Sequence, residues 1–182
     1  CHKYGLYLFL DGARLGYGLA APDNDLTLPE IAALCDVFYI GGTKVGALFG
    51  EAVVIKNPEL AQDFRYLIKQ NGGMLAKGRL LGLQFDALFT DGLYQVISAH
   101  AIAMAEKLRE AFTAKGYTYL APNRTNQIFV IVPDAHLAKI SEQFEYSYDQ
   151  RIDATHSCVR FCTGWATREE NVDALIRCVE KL

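Results

Sequence analysis

The stretch Leu6-Tyr7-Leu8-Phe9-Leu10-Asp11-Gly12-Ala13-Arg14 decides how the fold is read. Five consecutive apolar residues without alternation read as a strand covered on both faces, as parallel sheets require, and such a strand belongs at the centre of its sheet. The run stops on an acid and a glycine. A second apolar run, Val37-Phe38-Tyr39-Ile40, stops the same way, on Gly41-Gly42-Thr43-Lys44. Between the two, Thr27 precedes Leu28, Pro29 and Glu30, an N-cap followed by a proline and an acid in the first turn, which predicts a helix over 28–34. A connection with room for a helix makes strands 6–10 and 37–41 parallel neighbours. The next connection differs. Gly41, Gly42, Gly46 and Gly50 leave no continuous segment for a crossover helix before Ala52-Val53-Val54-Ile55, so that strand should run antiparallel. The fold class expected is α/β, a mostly parallel sheet with one reversed strand.

Downstream, Pro58 opens a helix carrying Phe64 and Ile68, Asn71-Gly72-Gly73 breaks it, and Met74 to Phe89 reads as helical again. From Leu93 to Ala114, Leu93, Val96, Ile97, His100, Met104, Leu108 and Phe112 recur at three- and four-residue steps, the stripe of an amphipathic helix. His100 on that stripe reads as a hydrogen-bonded core histidine rather than a catalyst. Beyond Gly116 the pattern changes to short strands at 117–120, 127–132 and 157–161, with a helix at 136–143 between the last two and a final helix after them. Thr167 and Glu170 have the spacing of a capping box for that final helix, whose stripe is Val172, Leu175, Ile176, Val179 and Leu182. The expected organisation is residues 1–90, a linker helix at 91–115, and a small α+β domain at 116–182.

Composition narrows the function. With 51% hydrophobic residues among 182 there is ample material for a core, and a formal charge of -3 with scattered Lys and Arg argues against nucleic-acid binding. Charges such as Glu51 interrupt the apolar stretches, so no membrane span is expected, and the opening Cys1-His2-Lys3-Tyr4 lacks the regions of a signal peptide and reads as cut from something longer. Five cysteines without a C-x-x-C pair fit a reducing, cytoplasmic setting. His156, Cys158 and Cys162 read as packing residues, and no metal is expected.

In open α/β sheets ligands lie beyond the carboxyl ends of strands, where Asp11 and Lys44 are placed. A lysine amine and a carboxylate there match the two groups a protein must offer pyridoxal 5′-phosphate (PLP), a Schiff-base lysine and a partner for the pyridinium nitrogen. The phosphate-loop pattern of nucleotide-binding proteins is not matched around Lys44. Asp11 directly after an apolar run needs a cation, and two readings stay open: Arg14 three residues on, or a protonated pyridine. Arg160 lies opposite Val159 and Phe161 in strand alternation, either solvated or a fork for a carboxylate.

Asp11-Gly12-Ala13-Arg14, Gly42-Thr43-Lys44, Lys69-Gln70-Asn71-Gly72-Gly73-Met74 and Val159-Arg160-Phe161-Cys162-Thr163, in this order and spacing, resemble the low-specificity L-threonine aldolase family of fold-type I PLP enzymes. The resemblance runs from about Tyr4 to Leu182 and corresponds to that family's C-terminal half, with 1–90 the later part of the large PLP-binding domain. It implies that Lys44 forms the Schiff base, Asp11 holds the ring nitrogen, Arg14 and Arg160 hold the substrate carboxylate, Arg14 also nears the ring hydroxyl, and Thr43 supports the lysine turn. Many members carry an arginine after Gly-Gly-Met that reaches the cofactor phosphate across the dimer. Leu75 stands here, and Lys77 would take its place. The implied reaction is retro-aldol cleavage of a small β-hydroxy-α-amino acid to glycine and an aldehyde by a homodimer or homotetramer. β-Elimination, transamination or a non-catalytic remnant of the fold are the alternatives. The other half would hold the phosphate-binding turn and the ring-stacking histidine, so the 182 residues alone should show negligible aldolase activity.

Overall fold

The computed structural model describes residues 1–182, which divide into two compact units, 1–19 with 24–97, and 20–23 with 98–182. The first unit is built on three strands, β1 (Phe9–Leu10), β2 (Val37–Gly41) and β3 (Glu51–Ile55), in the order β1-β2-β3. β1 and β2 are parallel, with Phe9 opposite Val37, and β2 and β3 antiparallel, with Gly41 opposite Glu51, as the crossover argument required. Between β1 and β2 lie α1 (Leu15–Leu19) and α2 (Leu28–Leu34), the latter entered through the Thr27–Glu30 capping box.

The expectation that 6–10 forms a central, doubly covered strand is corrected. Only Phe9 and Leu10 pair, β1 is an edge strand, and Leu6, Tyr7 and Phe9 are 58%, 57% and 60% exposed. β2 is the central strand, and its Phe38 and Ile40 are buried. An apolar run records the chemistry of a covering surface, but burial needs neighbours on both sides, and within these residues β1 has one. The segment before β1 is tied down through Asp36 instead, whose carboxylate accepts from Leu8 N–H at 2.7 Å.

After β3 come α3 (Pro58–Ala61), α4 (Phe64–Gln70) and α5 (Arg79–Phe89). The expected helix from Met74 starts only at Arg79. Gly72 takes a left-handed turn at φ 76°, and with Gly73 and Gly78 flanking it the segment 74–78 stays non-helical, since each glycine raises the entropic cost of a helix.

α6 (Leu93–Ala114) contributes its first five residues to the first unit and the rest to the second. Its stripe is buried from Ala101 to Phe112, whereas Val96 is 63% exposed. The second unit carries a four-stranded antiparallel sheet, order β4-β5-β7-β6, from β4 (Thr118–Tyr119), β5 (Gln127–Pro133), β6 (Ser147–Arg151) and β7 (His156–Cys162). α7 (Asp134–Ile140) and α8 (Glu169–Glu180) complete it. Met104, Leu108 and Phe112 of α6, Ile128, Val130 and Val132 of β5, Val159 and Phe161 of β7, and Val172, Leu175 and Val179 of α8 share one core. β5 alternates buried and half-buried residues along its length, as period two demands.

Two expectations fail here. β6 is fully exposed and reads Ser-Tyr-Asp-Gln-Arg, without the apolar alternation that would reveal a strand; pairing with β7 creates it. The capping box at Thr167 is not formed. The Thr167 hydroxyl accepts from Gly164 N–H at 2.8 Å, closing the preceding turn, and α8 begins at Glu169 with Arg168 as N-cap. The Thr167 carbonyl lies 2.8 Å from Nε2 of His100, the partner expected of a core histidine, although that residue is half-buried rather than enclosed.

Candidate active site

In the first unit the turns that follow β1 and β2 meet backbone to backbone. Gly41 N–H donates to Gly12 O at 2.9 Å. A Cβ on Gly12 would stand 1.6 Å from Tyr39 O, and one on Gly41 would stand 2.4 Å from Ala13 O, so only glycine at both positions lets the turns close. Asp11 and Lys44 are thus carried to the same end of the sheet, close enough for the ammonium to act on the carboxylate.

Asp11 is exposed, and its two oxygens are used unequally. Oδ1 accepts from Ala13 N–H at 3.1 Å and from the Tyr39 hydroxyl, while Oδ2 has no protein partner. The Tyr39 hydrogen bond holds the Asp11 carboxyl below the usual carboxylate range, the Ala13 N–H adds to it, and the charges of Lys44 and Arg14 add further. The Tyr39 phenol is raised in return, first by the same bond. Of the two readings left open for Asp11, a local ion pair with Arg14 is not formed; the half-buried Arg14 acts only at a distance. An ionised carboxylate with one oxygen free for an N–H donor fits a protonated pyridine ring.

Lys44 is exposed, and its ammonium has neither hydrogen bond nor ion pair, which leaves the amine available for a carbonyl partner. Its backbone is held firmly. The Tyr17 hydroxyl donates to Lys44 O, and the buried Tyr94 hydroxyl donates to Gly41 O while accepting from Gly16 N–H, both at 3.0 Å. Burial pushes the Tyr94 phenol up to about 12. Gly42 O accepts from Val45 and Ala47 N–H. The Thr43 hydroxyl donates to Glu51 Oε1 at 2.8 Å, and Gly42 N–H donates to Glu51 Oε2.

Lys77 lies in the exposed turn before α5 without a hydrogen bond or ion pair from its side chain. In the second unit Arg160 is half-buried on β7, its guanidinium carbon 6.0 Å from the Phe129 ring centroid and Nη2 3.5 Å from Ser147 Oγ. Its Nε is buried with no partner, so the fork retains a donor that a carboxylate could satisfy.

Sequence reasoning missed Tyr39, Tyr94 and Glu51. Tyr39 and Glu51 sat inside strand patterns, where one read as an apolar strand residue and the other as an interruption of an apolar run. The available signal was parity: in β2, Tyr39 alternates with the buried Phe38 and Ile40 and so presents its hydroxyl to the other face.

No family model matches the chain. Among solved structures, threonine aldolase from Leishmania major superimposes with a TM-score of 0.97 at 41% identity, covering 100% of this chain and 53% of that one. An aromatic amino acid beta-eliminating lyase/threonine aldolase homologue from an Exiguobacterium species shares the fold with a TM-score of 0.69 at 20% identity, covering 100% of this chain and 54% of that one. The fold is that of fold-type I PLP enzymes. In sequence the chain is similar to low-specificity L-threonine aldolases, as the resemblance implied: one from a Pseudomonas species is 31% identical over 179 residues, 96% of this chain and 50% of that protein. The chain spans about half the length of the curated relatives it matches.

Proposed function

We propose that this chain takes part in PLP-dependent aldol cleavage of a β-hydroxy-α-amino acid, L-threonine or L-allo-threonine, to glycine and an aldehyde. The observation that carries the reading is the pairing of a free, ionised Asp11 Oδ2 with an unpartnered Lys44 amine at one strand edge. The cofactor, when bound, supplies an electron sink for the pair of electrons left at the substrate α-carbon. Asp11, through its free Oδ2, would accept from the ring nitrogen and favour its protonated form. Lys44 would hold the cofactor through its free amine. Arg14 and Arg160 would hold the substrate carboxylate, Arg14 would also serve the ring hydroxyl, Thr43 supports the lysine turn through Glu51, and Lys77 would serve the cofactor phosphate. Loss of the β-hydroxyl proton breaks the Cα–Cβ bond and releases the aldehyde, and a proton delivered to Cα completes glycine.

In this reading residues 1–90 are part of the cofactor-binding domain, 91–115 a linker helix and 116–182 the small C-terminal domain. The enzyme works as a cytoplasmic homodimer or homotetramer. Five free cysteines accord with a reducing compartment, and no helix is long and apolar enough to cross a membrane. The test is to supply the intact protein with PLP and either threonine isomer and to identify products. Glycine plus acetaldehyde supports the reading. Ammonia plus a keto acid, or amino transfer to a keto acid, replaces it with elimination or transamination, and no cofactor uptake removes it.

A further inference from the structure

Glu51 opens β3 directly opposite Gly41, the residue that ends β2. Its carboxylate reaches across to the lysine turn with both oxygens, Oε2 taking Gly42 N–H and Oε1 taking the Thr43 hydroxyl at 2.8 Å. The other bonds that shape this turn are neutral: Gly41 N–H to Gly12 O, Gly42 O to Val45 and Ala47 N–H, and the Tyr94 and Tyr17 hydroxyls to Gly41 O and Lys44 O. Glu51 is therefore the one ionised group in the set, and bonds to a carboxylate are roughly twice as strong as neutral ones. Glu51 makes no ion pair with Lys44, so it grips the backbone on which the amine is mounted and leaves the amine itself free.

We propose that Glu51 is a positioning residue, whose two-point hold on Gly42 and Thr43 fixes the turn that presents the Lys44 amine beside Asp11. The inference rests on the reading of Lys44 as the cofactor lysine. Shape follows from reach and from acceptor count. Alanine loses both bonds. Glutamine keeps an acceptor for Gly42 N–H and offers Thr43 a donor to which its hydroxyl can turn, without the charge. Aspartate is one methylene shorter and does not span both partners from the same backbone position.

The experiment treats the intact protein with PLP followed by borohydride and quantifies the label on Lys44 by peptide mass spectrometry, with the exposed Lys56 and Lys139 as internal references. The wild-type protein concentrates label on Lys44. Glu51→Ala slows labelling of Lys44 by about tenfold, the equivalent of one charge-assisted bond, while leaving the reference lysines unchanged. Glu51→Gln lies between, and Glu51→Asp is closer to alanine than to wild type. Amide hydrogen exchange over 42–47 rises in the same order, a readout independent of the cofactor and of turnover. Should the alanine variant not fold, the glutamine variant carries the comparison. Equal labelling and equal exchange in wild type and variants overturn the role of Glu51 alone. Absence of label on Lys44 in the wild-type protein overturns the cofactor reading and this inference with it.

Discussion

Replacing Gly12 by alanine tests the claim that the two turns are held together by backbone contact. The new Cβ would sit 1.6 Å from Tyr39 O and 2.8 Å from Tyr39 C, against backbone that cannot swing aside as a side chain does. Restoring an ordinary contact of 3.4 Å requires the turn after β1 to back away from β2 by about 1.8 Å. That displacement takes the 2.9 Å bond from Gly41 N–H to Gly12 O beyond hydrogen-bonding range. Losing one backbone bond costs about 1 kcal/mol and forcing an atom into packed space about 1–3 kcal/mol, so Gly12→Ala should destabilise by roughly 2–4 kcal/mol. Gly18 is the matched control. It lies within α1, where a Cβ meets nothing within 4 Å, and alanine there should stabilise by about 0.5–1 kcal/mol through the backbone entropy of the unfolded chain. The assay is urea denaturation of both variants of the intact protein, with borohydride-fixed label on Lys44 as a second readout, since separating the turns also separates Asp11 from Lys44. A Gly12→Ala variant as stable as Gly18→Ala, with unchanged labelling, would refute the argument.

Tyr39→Phe removes the bond that contributes most to lowering the Asp11 carboxyl, so its titration, followed by carbonyl NMR, should move to higher pH. The sign follows from linkage: a depressed carboxylate stabilises the folded form above its unfolded value and ceases to as pH falls through the folded value, and the variant reaches that loss at higher pH. Tyr94→Phe leaves Gly16 N–H and Gly41 O without their buried partner and should cost about 2–4 kcal/mol in denaturant unfolding. In the wild type the raised Tyr94 phenol predicts stability lost from about pH 10 to about 12 as the unfolded tyrosine ionises first, a loss absent from the phenylalanine variant. In the second unit, Asp153 is held down to about 2, chiefly by Thr155 N–H and then by His156, so its NMR midpoint should lie there and its stabilisation should fade between about pH 4 and about 2.

In the first unit the order of strands was legible from residue types alone. Thr27, Pro29 and Glu30 mark the start of α2 because caps and first-turn residues act locally, and the four glycines between Ile40 and Ala52 forbid a crossover helix whatever lies elsewhere. Asp11 and Lys44 could be placed at one end of the sheet because two parallel strands must deliver their carboxyl ends to the same edge. The Val172, Leu175 and Val179 stripe of α8 is buried as its period requires.

What covers a segment, and which distant group meets it, was not written locally. The apolar run at 6–10 was right about its composition and wrong about its cover, because burial is a property of neighbours. Thr167 has the spacing of a cap, yet its hydroxyl is taken by Gly164 three residues earlier, and β6 exists only because β7 offers it a ladder. Tyr39 reaches Asp11 across 28 residues, and Tyr94 reaches Gly41 across 53. By itself, then, the sequence determined helix periodicity, the Thr27–Glu30 cap and turn chemistry, which depend on bonds within a few residues, and, through the helix-length connection that makes β1 and β2 parallel, the delivery of an acid and an amine to one edge. Tertiary structure alone decided that one oxygen of the acid is taken by Tyr39 while the other stays free, and that the turn bearing the amine is gripped by Glu51, because hydrogen bonds between side chains far apart in sequence exist only after the strands have paired.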